Sequence, residues 1–437
     1  MKLKNISIVL TAVATALCAC ESREDVRVQQ PDESEYIYEV RDGRLTAEAA
    51  MADLRSTLEA MGDHGRAEKM SAMEMPAIVT AADFRAARQS AGMMLAPQDG
   101  GTETADDTLL YVVNFGDGEG YAVMSTDASL GGDNLIALTE SGSITIEDIV
   151  NPDTAERENP FLYMPGIRPM SDGEITIPGG GGGIGTGPGG TSPGGPTFYT
   201  PGKWENVEQT EIRTLPGCHQ GSPYNNLCPP KGDTISPAGC GAIAALMLYS
   251  FHEDPSTIGG VTYSWKQIKA HEGVTAIIPQ WVRTIGEECN TVYRKKYSYC
   301  MPGDITAAIN NYSRYANAVK ESKPDEEKVY SSLKAMKPII CGSVPNIAVT
   351  HGHYWLIDGY LKQRRKMTVL NNNGTTTSYY QYRELVHCSW GWGYGGNGYY
   401  QYRLFNPSKD RVIADSGAPQ SDKDYTWGDW YFWCYFY

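Results

Sequence analysis

The chain has 437 residues, 41% of them apolar, and a formal net charge of −15. That length predicts two domains, and the apolar share is enough for ordinary cores. An acidic balance of this size argues against nucleic acid and against adhesion to anionic lipid.

At the N-terminus, Lys2 and Lys4 precede an apolar run from Ile6 to Leu17. The run is too short to span a bilayer and reads as an export signal. Its ending, LCAC, resembles the lipobox of bacterial lipoproteins. It predicts residues 1–19 as signal peptide, lipid on Cys20, and a tether over residues 20–34. The ESRED that follows resembles the acidic tags of surface-exposed lipoproteins in some Gram-negative bacteria. The expected location is therefore the outer membrane at the cell surface, with the periplasm or plain secretion as alternatives. Acyl chains would hold the protein there, without a transmembrane helix.

Residues 35–173 read as a small α+β domain. LTAEAAMADLRSTLEAM carries Ala47, Ala50, Met51, Leu54 and Leu58 at helical spacing. LLYVVNFGDGEGYAVMST gives two apolar runs around GDGEG, a hairpin signal. The stretch from Pro178 to Pro196 is almost pure Gly, Pro, Ser and Thr. It cannot build a core, so residues 174–197 are expected to be a linker. A phosphate loop is excluded there, because no Lys follows the glycines and no strand–loop–helix frames them.

Residues 198–437 form the expected second domain. The run from Gly241 to His252 is apolar nearly all round and predicts a buried helix. WVRTIGEECNTVY and PGDITAAINNYS predict further helices, and KVYSSLKAMKPIIC a helix running into a strand at Pro338. From HYWLIDGYL onward the residues are aromatic and branched, with turns at NNNG and YGGNG, and the tail from Asp424 reads as one last strand. Helices first and an antiparallel sheet later is a segregated α+β order.

Apart from Cys18 and Cys20, the cysteines are Cys218, Cys228, Cys240, Cys289, Cys300, Cys341, Cys388 and Cys434. In an oxidising compartment Cys218 with Cys228 and Cys289 with Cys300 are the sequence-close pairings; the connectivity is not deducible from sequence. In SPAGCGAIAALMLYSFH, Cys240 opens the apolar helix. There the dipole and the free backbone amides favour a thiolate. The plainer alternative is a small buried residue starting a core helix. In THGHYWLIDGY, His351 and His353 share one face of a strand, either as a metal pair or as a single base. Neither CxxC nor HExxH supplies further ligands, so no metal or cofactor is expected. In LVHCSWGWGYGGNGYY, the tryptophans read as a tight aromatic corner or as a lid that keeps water from a His and its partner.

Taken in order, AGCGAIAALMLYSFH, GHYWLIDGY and HCSWGWGYGGNGYY resemble the streptopain-like cysteine peptidases of the papain superfamily. GCHQGSPYNNLCP is similar to the family's segment ahead of the nucleophile. YVVNFGDGEGYAVMSTD and LIALTESGSI are similar to its inhibitory propeptide. The resemblance implies an α+β, papain-like peptidase with two subdomains, a helical part holding the nucleophile helix and an antiparallel β part, made as a zymogen. It implies Cys240 as nucleophile, His353 as base and Gln220 in the oxyanion hole. Trp390 and Trp392 would flank the imidazole's partner. That partner is usually Asn; here the position is Ser389, whose hydroxyl is expected to orient His353. The implied partners are polypeptide substrates, the chain's own prodomain as inhibitor, and a separate inhibitor protein. A peptidase-like binding lipoprotein and another Cys–His acyl-transfer enzyme are the alternative functions.

Overall fold

The computed structural model describes residues 40–41, 44–70, 73, 75–90, 108–127, 134–151, 158–164, 198–344, 352–370, 375–405 and 431–437. Cys20, the Gly-rich stretch from Pro178 to Pro196, His351 and the NNNG turn lie outside them.

The helical pattern near the N-terminus forms α1 (Ala47–Ala60), which opens where the Thr46 side chain accepts from the Ala49 N–H at 3.2 Å. The hairpin expected around GDGEG is also present. The strands of this region are β1 (Ala77–Thr80), β2 (Thr108–Asn114), β3 (Tyr121–Ser125) and β4 (Leu135–Thr139). Helix α2 (Ala81–Ser90) follows β1 directly.

After residue 197 come β5 (Phe198–Pro201) and β6 (Glu205–Gln209), then α3 (Cys240–His252), α4 (Ile278–Glu288) and α5 (Pro302–Asn310). Next are β7 (Val319–Ser322), α6 (Glu326–Lys334) and β8 (Ile339–Val344). The chain ends with β9 (His353–Leu370), β10 (Thr376–Ser389), β11 (Gly398–Tyr400) and β12 (Tyr431–Phe436). Helices thus precede the main strands, as the apolar patterns predict, and the fold is α+β.

The twelve strands named above join one sheet, ordered β7-β12-β8-β9-β10-β11-β4-β3-β2-β1, with β5 and β6 also pairing on β9. Every named pairing is antiparallel. The sheet runs across the expected domain boundary. Strand β11 pairs with β4, matching Gly398 to Thr139 and Tyr400 to Ala137. The cores follow the same plan. Val123, Phe161 and Tyr163 pack in one cluster with Trp355, Trp390 and Phe405.

Alternation along β8 and β9 decides what each face touches. Ile340, Tyr354 and Leu356 pack with α3, α4 and α5. Ile339, Cys341, Trp355 and Ile357 face the aromatic cluster instead. These two strands are a wall between a helical core and an aromatic one.

Candidate active site

Helix α3 is apolar on every side, and each residue from Cys240 to Phe251 is buried. Its N-cap is Gly239, at φ +91°, a conformation that L side chains rarely adopt. No side chain caps this helix start. Its first N–H groups are therefore free to face the Cys240 sulfur, and those of Cys240 and Gly241, with the Tyr354 N–H of β9, lie close enough to favour its thiolate. The last of these places the thiol one residue from His353.

Gln220 is held beside the same helix start. Its backbone carbonyl accepts from the Ala238 N–H at 2.9 Å. Two residues earlier, the Cys218 carbonyl accepts from the Gly393 N–H at 2.7 Å, tying this loop to the tryptophan loop. Trp392 stacks on the His353 imidazole with ring centroids 4.4 Å apart, and Trp390 stacks on Trp392 at 5.1 Å. The lid reading of the two tryptophans matches this geometry.

The expected role of Ser389 does not hold. His353 Nε2 lies 2.8 Å from the backbone carbonyl oxygen of Trp390, which accepts its proton. The Ser389 hydroxyl donates to Asp358 at 2.8 Å. The cause is a register shift. From Leu370 with Thr376 to Gly359 with His387, β9 and β10 pair without interruption; past a bulge, Ile357 pairs with Cys388 and Leu356 with Ser389. Asp358 is the extra residue. An unbroken ladder would set Ser389 opposite Ile357, on the face that His353 shares. The one-residue slip turns its side chain to the other face.

Tyr163 was not visible as a site residue in the sequence. It ends the short turn Pro160–Tyr163 of the segment before the linker. Its ring lies 5.3 Å from His353, 5.9 Å from Trp390 and 6.0 Å from Trp392. No local pattern marks it, because FLYM reads as any apolar turn.

Burial sets the protonation states. It pushes the Cys240 thiol up to about 11, against the pull of the three backbone N–H groups. It pushes His353 down to about 4, although the Trp390 carbonyl favours the imidazolium. At neutral pH both are uncharged. Among the described residues no hydrogen bond joins Cys240 to His353.

The described cysteines are thiols. Cys218 donates to the Leu215 carbonyl at 3.3 Å, and neither sequence-close pairing is a disulfide. Cys341 and Cys434 face each other across β8 and β12 with sulfurs 3.2 Å apart.

Residues 218–400 match the family model described as Peptidase C10 family. This region is a cysteine peptidase domain of the C10, or streptopain, family. No match is found among curated proteins. Among solved structures, a mutant prointerpain A fragment from Prevotella intermedia is 17% identical, with a TM-score of 0.42, covering 78% of this chain and 97% of its own. Active wild-type interpain A cysteine protease from Prevotella intermedia is 19% identical, with a TM-score of 0.37, covering 53% and 95%.

Proposed function

We propose that the chain is an endopeptidase precursor, anchored by lipid on Cys20 at the outer membrane, with residues 35–173 as its tethered inhibitor. Cys240 is the nucleophile, His353 the base, and the Trp390 carbonyl the group that orients the imidazole. The observation that carries the reading is Cys240 at the uncapped start of α3, near the Tyr354 N–H that follows His353 in β9. With Nε2–H donated to Trp390, the lone pair on Nδ1 is left to take the thiol proton. The N–H groups at the start of α3, with Gln220 alongside, would stabilise the oxyanion of a tetrahedral intermediate.

The covered state is the latent one. Tyr163 fills the space against His353 and the tryptophans, and a neutral thiol is a poor nucleophile. Cutting the Gly-rich linker would free the inhibitor from its tether. A tether holds a weak inhibitor at about millimolar effective concentration, so release depends on the cut. The non-catalytic alternative drew its support from Ser389. That support falls once a backbone carbonyl serves His353, because no side chain at that position has to reach the ring.

The test compares linker-cut wild type, Cys240→Ala and His353→Ala on one fluorogenic peptide. Both variants should lose turnover while folding normally; a Cys240→Ala protein of normal activity would refute the reading. Mass spectrometry of the mature N-terminus checks the anchor, and an unmodified N-terminus elsewhere would mean plain secretion.

A further inference from the structure

Behind the wall formed by β9 and β10 lies a carboxylate that the proposed chemistry does not use. Asp358 is 1% exposed. It accepts from Ser389 Oγ at 2.8 Å, from His387 Nδ1 at 2.6 Å and from the Thr214 hydroxyl. His387 also reaches Glu140 at 3.3 Å. Burying a carboxylate is costly unless donors meet it, and here three do. The bulge puts it there, since the extra residue projects between the two β10 side chains that flank Cys388.

The opposite side of this strand end carries the imidazole. Ser389 is the last residue of β10 paired to β9, and the chain then turns away through Gly391 at φ +74°. No ladder bond aims the Trp390 carbonyl that meets His353. Two side-chain anchors frame its residue. Ser389 is pinned to Asp358 behind it, and the Trp390 N–H donates to Asn397 Oδ1 at 2.9 Å ahead of it.

We propose that Asp358, acting through Ser389, is a positioning residue for His353: it holds the strand end so that the Trp390 carbonyl faces Nε2 and fixes the ring with Nδ1 toward the thiol. This rests on Cys240 and His353 being the reacting pair. The carbonyl favours the imidazolium. Loosening it lowers the pH at which the imidazolium is lost, so the alkaline limb of kcat/KM moves to lower pH. A role in folding alone would reduce the number of working sites and leave each site's profile unchanged.

The experiment uses the full chain cut in its Gly-rich linker, with rates counted per thiol labelled by an epoxide peptidase probe. Ser389→Ala should lose about 10- to 100-fold in kcat with KM unchanged, the size expected for an orienting group. Its alkaline limb should shift to lower pH. Ser389→Thr, which keeps the hydroxyl, should restore both. Thr214→Val removes one donor to Asp358 without touching the strand end. It should shift the limb the same way by less, and it stands in if Ser389→Ala does not fold. An unshifted limb in the folded variants, with normal kcat per labelled site, would overturn the proposal. Normal activity in Cys240→Ala would instead overturn the underlying reading of the reacting pair.

Discussion

A thiol held near 11 and an imidazole held near 4 do not form an ion pair at neutral pH. Both shifts come from burial, and Tyr163 is part of what covers them. At pH 8 a thiol of that kind is about one-thousandth thiolate, whereas a solvated cysteine of pKa about 8.5 is roughly a quarter ionised. Tyr163→Ala should therefore speed alkylation of Cys240 by iodoacetamide at pH 8 by at least about a hundredfold, read by peptide mapping. An unchanged rate would show that Tyr163 is not the cover. At this scale the sequence was informative about chemistry and poor on geometry. Cys240, His353 and the tryptophans could be singled out because their neighbours are distinctive, and the structure stacks His353 with the tryptophans. Ser389 was misread because its face depends on a bulge, and one extra residue in a strand leaves no mark in the alternation that a reader can trust. The carbonyl that meets His353 belongs to the backbone, which no side-chain pattern reports.

Helix α1 is fastened to the β9–β10 hairpin by a buried charge. Asp53 accepts from Trp204 Nε1 at 2.9 Å and pairs with Arg365 and Arg383, whose guanidinium groups lie over the Trp204 ring at 4.5 and 4.0 Å. Arg383 Nε also donates to Gln363 at 2.8 Å. Such a pair is weak evidence of net stability, but removing one partner strands the others in a dry site. Asp53→Ala should cost about 3–5 kcal/mol in denaturant unfolding of the uncut chain, while Asp53→Leu with Arg365→Met and Arg383→Met together should cost much less. A loss below about 1 kcal/mol in the single variant would mean that the site is solvated. The elements themselves were largely readable. Helix α1 shows helical spacing, α3 an unbroken apolar run, and the β2–β3 hairpin its GDGEG turn. Nothing local announced that β4 would pair with β11, because both are short apolar strands and their pairing spans a long stretch of chain. Nor did composition reveal that Asp53, an ordinary helical acid, would lie buried on arginines.

The continuous sheet gives the whole molecule its pH dependence. The segment before the linker covers His353 with Tyr163 and meets His387 with Glu140. Covered, His353 sits at about 4; uncovered and wetted, it should return toward its ordinary value of about 6.5. A lowered histidine contributes fully above its ordinary pKa, and that contribution is lost as pH falls through 6.5 toward the covered value. Glu140 is held below the usual carboxylate range, first by its hydrogen bond to His387, so its share disappears in the same direction at lower pH. His387 runs the other way. Burial alone would lower it, but Asp358 and Glu140 raise it to about 10, so its contribution is complete below about 6.5 and fades as pH rises toward that value. Asp358 lies on the same side of the cut as His387, so release costs His387 only its Glu140 contact and the alkaline effect is the shallower one. Glu158 of the covering segment opposes His353: burial raises its carboxyl to about 7, so its contribution is complete below about 4.5 and fades as pH rises toward 7. The prediction therefore concerns the difference between two proteins. After the linker is cut, the dissociation constant of the wild type relative to that of His353→Gln should rise by about 10- to 100-fold between pH 6.5 and 4, a fraction of the roughly 3 kcal/mol that the full His353 shift allows. Size-exclusion chromatography of the cut chain measures this without relying on activity. Equal pH dependences in the two proteins would show that covering the imidazole is not what links acid to release.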